Sequence, residues 1–222
     1  MLIAHYYLII VIFEPGQKIV FIGDSITDAG RLGAAAPYGD GYVNLVDMLL
    51  VACYPELDLV VVNRGIAGDT VRDLAGRWER DVLAERPDWL SIMIGVNDVW
   101  RAWGSNPYDY VPLPEYETTL RDLLDQAQAG GARLILMTPY VIEPDRRDLM
   151  RRQLDLYGAV VKRLAEEYGA ILVDVQAAFD AALEQHEPGY WSGDRVHPTT
   201  AGHAVIARAW LDAVGVEVRN NR

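Results

Sequence analysis

The 222-residue chain holds a single cysteine, Cys53. One cysteine cannot close an intrachain disulfide or supply a cysteine metal site. Cys53 falls in a helical apolar pattern, where a thiol serves as a small hydrophobe. Positive charge is also short: 20 Lys and Arg stand against 32 Asp and Glu, for a net charge of -12. Nucleic acids are held largely by Lys and Arg neutralising phosphates, and anionic membranes by similar basic clusters. The charge balance argues against both partners. No apolar run reaches the roughly 20 residues that cross a bilayer. No internal repeat, low-complexity stretch or linker divides the chain.

Residues Met1 to Phe13 are nearly all apolar. No Lys or Arg precedes the run, and Glu14-Pro15-Gly16 follows it in place of a small-x-small cleavage site. The pattern therefore does not match a secretory signal. It suits an extra strand, an interface segment, or an upstream start that precedes the domain proper. Residues 14–222 are expected to form one domain, with the cytoplasm as its location.

Short apolar strands alternate with helical patterns five times. The expected strands are Lys18–Ile22, Leu57–Val62, Trp89–Ile94, Leu134–Met137 and Ile171–Val175. The expected helices are Tyr42–Ala52, one from about Thr70, Glu115–Ala129, Leu149–Tyr168, Ala177–Gln185 and Thr200–Val214. Val99–Pro114 reads as irregular. Nearly continuous apolar strands separated by helices mark a parallel sheet covered on both faces.

Chemistry in such sheets sits beyond the carboxyl ends of the strands. The first strand runs into Gly23-Asp24-Ser25-Ile26-Thr27, the second leads to Gly68, and the third to Gly95-Val96-Asn97-Asp98. Ser25 suits a nucleophile at a strand end, or alternatively a helix cap. Asp194 and His197 are three apart, a spacing that brings side chains together in a turn-like backbone. A carboxylate there would hold the imidazole tautomer, and the imidazole would take the Ser25 proton. The backbone N–H groups of Ser25 and Gly68 and the Asn97 amide would supply three donors for an oxyanion. Asp24, Asp28 and Asp98 with His197 make a poorer case as metal ligands, since hard-metal sites gather carboxylates in one loop.

These four blocks, in this order, resemble the SGNH or GDSL hydrolases. The likeness runs from about Glu14 to the last helix. It implies a flavodoxin-like three-layer α/β/α sandwich around a five-stranded parallel sheet, and serine ester hydrolysis without metal or cofactor. It implies Ser25 as nucleophile, Ser25, Gly68 and Asn97 as oxyanion hole, and Asp194 and His197 as acid and base. The text around Ser25, Asn97 and His197 further resembles the bacterial acetylxylan esterases of that family, which deacetylate xylan or xylo-oligosaccharides. Candidate substrate contacts are Asp24, Arg31, Tyr38, Trp100, Arg101, Tyr190 and Trp191, with Trp103 in a neighbouring loop; aromatic faces suit sugar rings. The likeness and the apolar N-terminus suggest a homo-oligomer. Two other readings compete. A lipid esterase, thioesterase or lysophospholipase would use the same catalytic groups but favour longer acyl chains. A non-catalytic flavodoxin-like binder is opposed by Gly23–Asp28, which lacks the later glycines and the lysine of a phosphate loop.

Overall fold

The computed structural model describes residues 11–103 and 109–216. Most of the apolar extension, and the Trp103 side chain, lie outside the described residues. Phe13, its last residue, is buried, stacked on Trp210 with ring centroids 5.8 Å apart and edge-on to Trp89 at 5.5 Å.

Strands β1 (Lys18–Gly23), β2 (Val60–Gly65), β3 (Trp89–Met93), β4 (Arg133–Met137) and β5 (Ile171–Val173) form one parallel sheet in the order β2-β1-β3-β4-β5. This is the flavodoxin-like order, with its switch point between β1 and β3. Every residue of β3 and all but the first of β1 are buried, because helices cover both faces of the central strands. The edge strand β2 alternates instead. Helices α2 (Tyr42–Cys53), α7 (Val175–Leu183) and α9 (Thr200–Ala213) pack in one group, as do α3 (Val71–Trp78), α5 (Leu113–Ala129) and α6 (Leu149–Glu167) in the other. The three layers are those expected. Trp78 and Trp210 lie in the core, and Cys53 is a half-buried free thiol. Among the described residues no helix is long and apolar enough to cross a membrane.

Several expected boundaries move; the fifth strand, expected to reach Val175, ends at Val173, and Val175 opens α7. The second strand starts at Val60, not Leu57, because Pro55–Leu57 forms a 3-10 turn with Asp58 at φ +43° after it. It then continues through the polar pair Asn63-Arg64, since Asn63 turns inward and donates to the carbonyls of Thr27 and Tyr38. The stretch expected to be irregular begins inside a short helix, α4 (Val96–Trp100).

Candidate active site

β1 ends at Gly23, where a Cβ would lie 2.4 Å from the Met93 carbonyl oxygen of β3. The absence of a side chain lets the chain turn tightly into α1 (Ser25–Asp28). Asp24 caps that helix: its Oδ1 accepts the Ile26 N–H at 2.9 Å. Ser25 is thus the first helical residue and not the cap. Asp24 is 1 % exposed, so its carboxylate cannot meet a substrate as expected, and burial pushes its pKa up to about 7.

Ser25 Oγ lies 2.9 Å from His197 Nε2, and His197 Nδ1 lies 2.7 Å from Asp194 Oδ2. Residues 172 apart in sequence form one continuous hydroxyl–imidazole–carboxylate line. The second carboxylate oxygen, Asp194 Oδ1, accepts from the N–H of Val196 at 2.9 Å and of His197 at 2.7 Å. Burial pushes the Asp194 carboxyl up, but the His197 ring and these two N–H groups outweigh it and hold it down at about 2. Asp194 is therefore an anion through the whole working range, suited to orient an imidazole. His197 and Asp194 keep 47 % and 45 % of their side-chain surface, so the pair opens to solvent. His203 is a different case. It is buried on α9, its Nδ1 accepts the Tyr42 N–H at 3.2 Å, and burial lowers its pKa to about 4.

Past β2, the Asp69 N–H bonds the Ile66 carbonyl and closes a turn with Gly68 at φ +87°. That conformation is open to glycine and strained for other residues. Past β3, Asn97 on α4 donates its side-chain N–H to the Asp69 carbonyl at 2.9 Å, which leaves the other amide hydrogen for a ligand. Ser25, Gly68 and Asn97 thus follow the carboxyl ends of three adjacent strands, along the edge nearest the switch point.

The expected substrate arginines are engaged elsewhere. Arg31 donates to the Gly65 carbonyl at 2.6 Å and pairs with Asp28 at 3.6 Å, and Arg101 donates to the Gly68 carbonyl. Both brace the backbone around the site. Trp100 faces the His197 ring at 5.7 Å. Tyr190 and Trp191, on α8 (Pro188–Trp191), pack with His186 instead, Tyr190 stacking on it at 4.3 Å. Tyr38 is partly buried against the core.

Sequence reasoning missed the residues that hold these blocks together. Arg77 of α3, 7 % exposed in its side chain, donates to Asp69 at 2.6 Å, to Asp81 at 2.9 Å, and to the carbonyls of Arg64 at 2.7 Å and Gly23 at 3.0 Å. Its signal was present: a cation three residues after Leu74 and four before Asp81, close to the apolar stripe of α3. Asp98, fully buried, accepts the Val71 N–H at 3.0 Å and so ties α4 to the start of α3. Among the described residues, no group of three or more His, Cys, Asp or Glu could hold a metal ion.

Comparison with known proteins agrees with this geometry. The GDSL-like lipase/acylhydrolase family model matches residues 21–205. An acetylxylan esterase of Geobacillus stearothermophilus is 51% identical over 210 residues, which is 91% of this chain and 95% of that protein. The crystal structure of Axe2, an acetylxylan esterase from the same organism, aligns with a TM-score of 0.91 at 49% identity, covering 95% of this chain and 99% of that one. LAE5, an alpha/beta hydrolase from the metagenome of Lake Arreo, Spain, aligns with a TM-score of 0.88 at 46% identity over 92% and 97% of the two chains. A serine, imidazole and carboxylate in line at the switch point, within a match that spans most of the chain, make this protein a member of the GDSL-like lipase/acylhydrolase family.

Proposed function

We propose that this enzyme removes acetyl groups from xylan or xylo-oligosaccharides through an acetyl-enzyme on Ser25. The observation that carries the reading is the unbroken line from Ser25 Oγ through His197 to Asp194, at 2.9 and 2.7 Å. The likeness to acetylxylan esterases over nearly the whole chain supports the substrate class.

The steps follow from the positions of the groups. Ser25 Oγ attacks the acetyl carbonyl while His197 Nε2 takes its proton. The carbonyl oxygen becomes an anion, met by the N–H groups of Ser25 and Gly68 and the free hydrogen of the Asn97 amide. Collapse breaks the bond to the sugar oxygen, which leaves with the proton held by His197. Water, deprotonated by the same imidazole, then attacks acetyl-Ser25, and His197 returns the proton to Ser25 Oγ as acetate leaves. The open face of the pair accommodates an ester carried on a large carbohydrate, and Trp100 beside His197 offers an aromatic face for a sugar ring.

Acetate release from acetylated xylo-oligosaccharides tests the reading, with acetyl, propionyl and butyryl esters of one alcohol as controls. Turnover is expected to fall steeply from acetyl to butyryl. Activity that rises with acyl length would favour the lipid-esterase alternative. Ser25→Ala is expected to abolish turnover with the fold intact, and a chelator to leave the rate unchanged.

A further inference from the structure

The Asp194–His197 turn is internally bonded, but those bonds fix only its shape. Its placement against Ser25 must come from outside the turn. Three links run from it to the segment that follows β4. The Ile142 N–H bonds the Arg195 carbonyl at 2.8 Å, and the Tyr140 hydroxyl bonds the Val196 carbonyl at 3.0 Å. The third is a side chain: Arg195 Nη2 lies 3.0 Å from Glu143 Oε2 and 2.8 Å from Asp148 Oδ1, an ion-pair contact whose angles fall short of a hydrogen bond.

Arg195 stands at φ +74°, a backbone conformation that glycine adopts freely and arginine does not. The turn therefore keeps a side chain where the backbone alone would favour none. The partners of that side chain are themselves held. Asp148 caps α6 by accepting the Arg151 N–H at 3.0 Å. The Glu143 carbonyl accepts from the buried Arg151 guanidinium at 3.0 Å, and Glu143 Oε1 accepts the Asp145 N–H at 2.9 Å. Arg151 in turn pairs with Asp180 at 2.7 Å. The chain of contacts runs from the catalytic turn through Arg195 to the first turn of α6.

The geometry points to Arg195 as a positioning residue that holds the Asp194–His197 pair in register with Ser25 by pairing with Glu143 and Asp148. The inference rests on the assignment of those three residues as the reacting groups. Arg195 touches no reacting atom; it acts through the placement of His197. A displacement of about 1 Å at a reacting group can cost on the order of a hundredfold in rate.

The decisive variant is Arg195→Gly. It relaxes the backbone and deletes the ion pairs, so the two roles of the residue predict opposite results. We expect kcat on an activated acetyl ester to fall about tenfold to a hundredfold with KM within about threefold. Arg195→Lys, which keeps a cation on a shorter stem, is expected to recover part of the loss. The double variant Glu143→Gln/Asp148→Asn leaves the backbone at 195 untouched and keeps a capping side chain at 148. It should reproduce the loss, and adding Arg195→Gly to it should cost little more. The downfield proton NMR signal of the His197 Nδ1–H should broaden in each. A kcat within twofold of the parent in Arg195→Gly or in the double variant would overturn the inference, as would losses that multiply in the triple variant. Ser25→Ala separates the two levels. Retained turnover there would refute the site assignment itself, whereas a dead Ser25→Ala beside fully active Arg195 variants would refute only the role of Arg195.

Discussion

Asn97 and Asp69 are joined by a hydrogen bond of 2.9 Å from side-chain amide to main-chain carbonyl, and this bond ties the block after β3 to the turn after β2. One amide hydrogen is spent on placing Gly68; the other is free to face an oxyanion. Asn97→Ala removes both functions. We expect kcat on acetyl esters to fall about a hundred- to a thousandfold. The orphaned Asp69 carbonyl should lower unfolding free energy by roughly 1–3 kcal/mol. Steady-state kinetics and urea unfolding measure the two effects, and a kcat within about fivefold of the parent would remove Asn97 from the oxyanion hole.

Arg77 gives a prediction on stability rather than rate. Its guanidinium reaches the ends of β1 and β2 through the carbonyls of Gly23 and Arg64, and it neutralises Asp69 and Asp81. Arg77→Met keeps the bulk of the stem and strands the Asp69 carboxylate, while Asp81 retains Arg80 at 2.7 Å. Breaking a buried pair from one side costs roughly 3–5 kcal/mol. Urea denaturation should show that loss. Arg77→Met/Asp69→Asn should recover part of it, and no recovery would mean that the carbonyl contacts carry the effect.

Asp194→Asn tests the orientation of the imidazole. The carboxylate accepts from the His197 ring and from two backbone N–H groups at once. An amide can keep its oxygen toward only one of these sets. If the backbone set holds the oxygen, the amide nitrogen faces His197 Nδ1 and forces the tautomer with its proton on Nε2, where it cannot take one from Ser25. A fall in kcat on the order of 10³- to 10⁴-fold is expected, as for the equivalent change in serine proteases. A loss below about tenfold would show that the imidazole is oriented without Asp194.

The residues gathered at the candidate site were legible because each carries a local signal. Ser25 and Asn97 close apolar strands, Gly68 follows one after a short turn, and Asp194 and His197 sit at turn spacing. The groups that align them were not, because their partners are distant in sequence. Arg77 meets Gly23 from 54 residues away, and Arg195 meets Glu143 from the far side of three helices and a strand. The bracing role of Arg31 was hidden for the same reason: nothing near it announces that the Gly65 carbonyl lies within 2.6 Å of its Nε. The start of β2 was misplaced because Leu57 is as apolar as a strand residue, yet it is buried from a 3-10 turn.

Asp98 links the fold to pH. Its Oδ1 accepts the Val71 N–H, while Oδ2 is buried with no hydrogen-bond partner. Burial raises its pKa from 3.8 to about 7, with the nearby Asp24 carboxylate adding to the effect. Between those two values the folded state binds more protons than the unfolded state. Stability contributed at this position is therefore present below about pH 4 and lost as pH rises through about 7. Asp98→Asn supplies a neutral group of the same shape that can still accept from Val71. The gap between variant and parent should already be open at pH 5, where the unfolded carboxyl is ionised and the folded one protonated, and should widen further by pH 8.5. The gap is expected to widen by about 2 kcal/mol across that range, less whatever Asp24 recovers when its neighbour loses charge. Urea unfolding of both proteins at the two pH values measures it. A constant difference between parent and variant would mean that Asp98 titrates alike in the folded and unfolded chains, and that its buried oxygen is paired in solution.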